Sequence, residues 1–263
     1  MKIPTAKMRR TIVFACCVIT LGIKFAFAQT PAKNETPGES AEHWFEISVT
    51  TIKPEKFSEY ERLLKEEVNP ALKKGGLSWR NTYTRATFGV LFEYVLVSPI
   101  TRLGQYDEPG PLYKALSAED VRVLHAKLRD CYAGYLTYAS RLIEDLSFTN
   151  DPGEAPIVVV SIYQLAPGRK AEWLKFMRDD FVPVIKKSGL MKFEAHETML
   201  GGNADEIVTV GWWKNYADLE KGPPIERVLG RAGAAKLMQK LSPGVVLRVD
   251  RKVQRHREAL SFK

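Results

Sequence analysis

The chain has 263 residues, of which 45% are hydrophobic and 27% charged, with 18 Gly and 15 Pro scattered along it. This composition can bury a core and excludes a globally disordered polymer, a collagen-like or coiled-coil fibre and a multi-pass membrane protein. The formal net charge of +8 would favour an anionic partner such as nucleic acid only if the basic residues shared one face of the folded chain.

Much of that charge is concentrated at the N-terminus. Lys2, Lys7, Arg9 and Arg10 precede an apolar stretch over residues 11–22, and no acid occurs before Glu35. After Lys24 the sequence Phe25-Ala26-Phe27-Ala28 ends in an A-x-A pattern followed by Gln29. A basic, then apolar, then small-residue order predicts a secretory signal peptide over residues 1–28, cut between Ala28 and Gln29. A membrane anchor would need a longer run than the one Lys24 interrupts. A lipoprotein would use Cys16 or Cys17, before which too few apolar residues stand. The expectation is therefore an exported chain, periplasmic or secreted, with no stable membrane insertion after cleavage. Five basic residues and no acids leave with residues 1–28, which takes the net charge from +8 to +3. No nucleic-acid partner is expected. The remaining basic cluster, Arg248 to Arg257, alternates with valines and reads as the solvated face of a strand.

Only Cys131 survives the cut, so no internal disulfide is possible. Its neighbours Leu128, Tyr132 and Leu136 predict a buried thiol rather than a nucleophile. Residues 29–42 are polar and rich in Pro and Gly, and read as a disordered linker. Asn34-Glu35-Thr36 matches a short and common glycosylation pattern.

The strongest internal signal is a repeat. A shift of 113 positions places residues 53–77 on residues 166–190 without a gap, and seven of the 25 pairs are identical. Among them are Pro54/Pro167, Pro70/Pro183, Gly76/Gly189 and Leu77/Leu190. So long a period predicts two duplicated domains, residues 43–150 and 151–263, rather than a solenoid. In chain order, residues 44–52 and 157–165 alternate as strands. Pro54 and Pro167 then open amphipathic helices, which Pro70 and Pro183 should kink and Gly76 and Gly189 should end. Two strands follow (about 78–87 and 91–98; about 191–200 and 206–213), then a broken helical region (about 102–129 and 215–241) and a long last strand (about 132–148 and 245–258). Gly201-Gly202-Asn203 reads as a hairpin turn, and Gly230 to Lys236 as a small-residue helical region.

The order βαββαβ, twice, predicts an α+β fold in which helices cover one face of each antiparallel sheet. Phe45, Ile47, Val49, Val95, Val97, Val208 and Val210 suit the helix-covered faces. Apolar residues on the opposite faces, Trp44, Ile52, Tyr94 and Leu165, then suit two sheets packed face to face. This order, with PALKKGGL and PVIKKSGL closing the first helices, resembles the dimeric α+β barrel superfamily in a covalent tandem form with ferredoxin-like halves, a monomeric pseudo-dimer open to further self-association. The resemblance implies an intrachain barrel and leaves the activity open. Its families include cofactor-independent monooxygenases, haem-handling enzymes related to chlorite dismutase, and muconolactone isomerases.

For chemistry there is no zinc motif, nucleophile elbow or Walker sequence, and no metal is expected. His43, His125, His196 and His256 are isolated. His196 stands mid-strand with Tyr83 as its repeat mate, and both share parity with Asn81, Arg85, Lys192 and Glu194. If that parity faces the space between the sheets, a polar lumen results, joined by Ser48, Ser161 and Tyr163, and His196 can act as a general base. If the strand lies at an edge, these groups meet water. Trp79, Trp212 and Trp213 either line a pocket for a planar ligand or pack in the core. His125 would be the haem ligand by analogy with the haem-handling relatives, without their motif around it; no cofactor is expected. The acid pairs Glu66-Glu67 and Asp179-Asp180 read as solvated helix faces. Three functions fit: binding of a small, partly apolar ligand through Trp79, Tyr83, Tyr163, His196 and Trp212; a cofactor-independent monooxygenase or isomerase using His196; and a non-catalytic assembly module.

Overall fold

The computed structural model describes residues His43–Lys263. The expected signal peptide, its cleavage site at Ala28 and Gln29, and the linker lie outside the described residues. Nine strands form one antiparallel sheet that closes on itself. The first part of the chain supplies β1 (Trp44–Ile52), β2 (Asn81–Arg85), β3 (Glu93–Ile100) and β4 (Tyr132–Leu142), with a two-residue β5 (Phe148–Thr149). The second supplies β6 (Ile157–Leu165), β7 (Lys192–Leu200), β8 (Glu206–Trp213) and β9 (Val246–His256). The order is β4-β1-β3-β2-β9-β6-β8-β7, and β7 pairs back onto β4. Closure leaves no long edge to template aggregation. The strands of the two parts therefore join edge to edge into that one sheet: Tyr83 pairs with His256 at the β2–β9 seam, and Leu142 with His196 at the β4–β7 seam.

Helices cover the outside. After β1 come α1 (Phe57–Leu63) and α2 (Asn69–Lys74), separated by a π-turn over Leu64–Val68. Before β4 come α3 (Pro111–Ala115) and α4 (Ala118–Cys131). After β6 come α5 (Lys170–Phe176) and α6 (Val182–Ile185), again separated by a π-turn, Met177–Phe181. Before β9 come α7 (Tyr216–Glu220) and α8 (Pro224–Met238), the latter broken at Gly230, where φ is 67°. Each π-turn immediately precedes the helical segment carrying Pro70 or Pro183. A proline has no N–H and crowds the carbonyl four residues back, so a widened turn absorbs the misfit where the sequence predicts a kink. Gly76 (φ 94°) and Gly189 (φ 78°) follow the helices they were expected to end.

Two apolar clusters lie between barrel and helices. One joins Ile52, Tyr60, Leu63, Tyr94 and Leu124; the other joins Leu165, Trp173, Ile185, Phe193 and Ile207. The expected assignment of faces is corrected here. Ile52, Tyr94 and Leu165 lie beneath helices, whereas Phe45, Ile47, Val49, Val95, Val97, Val208 and Val210 line the lumen. Antiparallel register requires this: Tyr83 pairs with Val95 and His196 with Val208, so each pair shares one face of the sheet. The last strand of the first part is also shorter than expected, ending at Leu142, before the separate β5. Cys131 is fully buried, and its thiol faces the Lys127 carbonyl at 3.4 Å.

Candidate functional site

The barrel encloses a cavity of about 360 Å³. Much of its wall is apolar, including Ile47, Val97, Val160, Ile162 and Val210. One charged row of the wall comes from β7, where period-two alternation sends Phe193 and Ala195 outward into the core and Lys192, Glu194 and His196 inward.

These three side chains form a chain of contacts. His196 Nε2 lies 3.0 Å from Glu194 Oε2, and Lys192 Nζ lies 2.6 Å from Glu194 Oε1. Lys192 Nζ also sits 4.5 Å from the ring centroid of Trp212, a cation–π distance. Phe45 meets the His196 ring edge-on at 5.5 Å and Trp79 at 6.1 Å. Burial, the largest single influence on Glu194, raises its carboxyl pKa. The hydrogen bond and charge of His196, together with Lys192, outweigh burial and hold it below the usual carboxylate value. A carboxylate only accepts hydrogen bonds, so neutral His196 carries its proton on Nε2 and its lone pair on Nδ1. Nδ1 is buried and has no hydrogen-bond partner.

Across the lumen, burial pushes the Tyr83 phenol up to about 12; the nearby Glu194 charge adds to this, and a hydrogen bond with Trp212 opposes it. Tyr83 therefore stays protonated at neutral pH. Burial, and then the charges of Glu206 and Glu93, also raise the Tyr138 phenol.

Trp79, Tyr83, His196 and Trp212 come together in the lumen as the sequence suggested. Tyr163 does not. Together with Ser161 it faces the helices and borders a separate cavity, and Ser48 borders another beneath the first set of helices. The physical reason is the register just described, which gives these residues the parity opposite to the lumen valines. Trp213 packs in the core against the Arg227 guanidinium. Lumen residues not singled out from the sequence are Tyr138, Ser140, Lys252 and Gln254, all on the last strand of each part. Lys252 was expected on a solvated face; instead its Nζ lies 2.9 Å from both Glu93 oxygens, and Gln254 is buried. The signal that could have found them is strand pairing, since Lys252 and Gln254 stand opposite Val160 and Val158. Glu66, Glu67, Asp179 and Asp180 pair with Arg62, Lys127 and Lys175 on the helices and with Lys240 just after α8. Among the described residues no group of His, Cys, Asp and Glu has the arrangement of a metal site, and no helix is long and apolar enough to cross a membrane.

A closed antiparallel barrel wrapped by helices is the dimeric α+β barrel type of fold. The chain matches no protein-family model and no curated protein sequence. It does match solved structures. An anthrone oxidase-like protein is 11% identical, with 82% of this chain and 92% of that one covered and a TM-score of 0.57. A chlorite dismutase variant from Candidatus Nitrospira defluvii is 8% identical, with 84% and 93% covered and a TM-score of 0.53. A monooxygenase candidate from Lactobacillus acidophilus NCFM is 14% identical, with 82% and 94% covered and a TM-score of 0.51. At these identities the likeness is one of fold.

Proposed function

We propose that this protein binds a small, partly apolar ligand inside its barrel, with the Lys192–Glu194–His196 row recognising the polar end. The observation that carries this reading is the cavity of about 360 Å³, with a largely apolar wall of valine, isoleucine and aromatic side chains and a charged row from β7. Native mass spectrometry on protein taken from its own source tests it. The expected result is a co-purified small molecule that is lost when Trp212 is replaced by Ala. An empty barrel, or a molecule retained unchanged by that variant, would count against it.

A second reading is supported by the unpartnered Nδ1 of His196. Glu194 accepts the Nε2–H hydrogen bond and orients the ring, leaving Nδ1 as a base beside an apolar cavity. In this reading the protein is a cofactor-independent monooxygenase or isomerase, in line with the names of two of the fold neighbours. A His196→Ala variant that stays folded and stops turnover of the bound molecule would favour it.

Haem chemistry has little support among these residues. A haem-ligating histidine is ordinarily held through its second ring nitrogen by a carboxylate or carbonyl. His125 meets Tyr113 edge-on at 6.4 Å, and among the described residues no such acceptor bonds its ring, so no step is routed through haem. We further propose that the two parts are ferredoxin-like halves of one duplication, an idea supported by the 113-residue repeat and by the matching order of elements. Export with cleavage after Ala28 rests on the N-terminal sequence, and N-terminal sequencing of exported protein tests it.

A further inference from the structure

We infer that the cavity beneath the helices of the first half is a second binding site, for an organic anion with an apolar body, whose charge is held by Arg80. This cavity, about 510 Å³, lies on the outer face of the sheet and does not depend on the lumen reading. Its apolar wall includes Leu64, Leu72, Leu96 and Leu128. Its polar wall includes Arg80, Arg129, His125 and the phenols of Tyr60, Tyr132 and Tyr135.

Arg80 carries the argument. Its Nε is buried with no hydrogen-bond partner, and among the described residues no carboxylate forms an ion pair with it. A guanidinium without a partner in a partly desolvated position costs stability. The carboxylate in the cavity wall, Glu46, accepts a hydrogen bond from the Tyr106 hydroxyl at 2.7 Å. Nothing in the fold requires a cation here: the residue 113 positions later is Phe193, buried in the second cluster. The second half has a smaller cavity of about 290 Å³ with the Phe193 ring at its wall, where the first half has the Arg80 charge.

The surrounding groups suit an anion. Tyr60 donates or accepts within a 3.2 Å contact to Thr50, and burial pushes its phenol up to about 12, so it stays protonated. Burial also raises the Tyr132 phenol, which stacks on Tyr135 at 5.4 Å. Arg129 is exposed and borders the same cavity, adding a second positive charge where the cavity meets solvent. A planar guanidinium matches a carboxylate through paired hydrogen bonds.

Calorimetric titration of the full chain with 1-naphthoate and with neutral 1-naphthalenemethanol tests this. Naphthoate should bind at least tenfold more tightly than the alcohol. Arg80→Gln should abolish that preference, and His196→Ala should leave it intact. Arg80→Met should also raise the melting temperature of the ligand-free protein, by about 2–4 °C for each kcal/mol recovered. The inference is overturned if naphthoate does not bind, if the alcohol binds equally well, or if Arg80→Gln binds naphthoate like the parent. Loss of the preference in His196→Ala would place the probe in the lumen and overturn it too. A lower melting temperature for Arg80→Met would mean that Arg80 supports the fold, with the same consequence.

Discussion

Glu194 and His196 project from the same face of β7, two residues apart, with Oε2 and Nε2 separated by 3.0 Å. The pairing ties lumen chemistry to stability. Burial alone would raise the Glu194 carboxyl, but His196 and Lys192 hold it below its ordinary value of 4.5. A depressed carboxyl contributes stability that is present above the unfolded-state value and lost as pH falls through the folded-state value. Melting temperatures measured from pH 7 down to pH 3 should therefore fall more steeply for the parent than for Glu194→Gln below about pH 4.5. Parallel curves would show that the pair contributes nothing.

His256 gives a second, separable pH dependence. It faces Tyr83 across the β2–β9 seam at 5.3 Å, and its Nε2 lies 3.1 Å from Ser261 Oγ. Burial lowers its pKa from 6.5; the neighbouring Glu258 charge opposes this, and Lys263 assists it. The unfolded chain then binds the proton first, so stability should decline as pH drops below 6.5 until the folded-state value is passed. His256→Gln should flatten that part of the curve and leave the Glu194 region unchanged. Denaturation midpoints at half-unit pH steps between 7 and 5 would show it.

The order of elements was legible because helix and strand periods differ and because proline and glycine punctuate them. Gly76, Gly189 and the Gly201 turn stand where the sequence placed them. The faces were not legible. In a one-layer sheet, alternation of Val49 with Ser48 and Thr50 would send the valine beneath the helices. Here both faces are covered, so alternation alone does not choose between them. Thr50 is buried outside the barrel against the Tyr60 hydroxyl, and Thr82 donates to the Leu260 carbonyl at 2.7 Å. These hydrogen bonds let hydroxyl residues occupy the helix-covered face. Lumen parity could have been counted from the hairpins, since the partner of a lumen residue on the adjacent strand must also face the lumen. Tyr163 was misplaced for want of that count; for Tyr83 and His196 the sequence left lumen and edge open, and strand pairing decides for the lumen.

The β4–β7 seam carries a charged pair whose contribution to barrel closure can be measured. Arg141 and Glu197 are register partners there, with Arg141 Nε donating to Glu197 Oε1 at 3.0 Å and Lys170 3.5 Å away. Glu197→Gln should cost about 1–2 kcal/mol, the lower part of the range for charged hydrogen bonds because Arg141 is partly exposed. Chemical denaturation would read this, and a change below about 0.5 kcal/mol would assign closure to the backbone ladder alone.

The same seam depends on Gly201, which ends β7 with φ at 78°. A Cβ built there would meet the Thr137 carbonyl oxygen at 2.9 Å. Gly201→Ala therefore adds a contact against rigid backbone to the roughly 1–2 kcal/mol cost of a left-handed conformation for an L-residue. The expected loss is at least about 1 kcal/mol, with faster amide exchange along β4 as the local signature.

Filling the lumen separates binding from folding. Val160 lies on β6 opposite Val210 and lines the cavity of about 360 Å³. In a close-packed core Val→Phe overpacks and costs ~1–3 kcal/mol. Facing an open cavity, the ring has room and gains apolar contacts. Val160→Phe should therefore change stability by less than about 1 kcal/mol and weaken any lumen ligand at least tenfold. It should leave naphthoate binding at Arg80 untouched. Denaturation and calorimetry on this one variant give both readings. A strongly destabilised Val160→Phe would mean that the lumen is packed too tightly to admit a ligand, and the lumen proposal would fall with it.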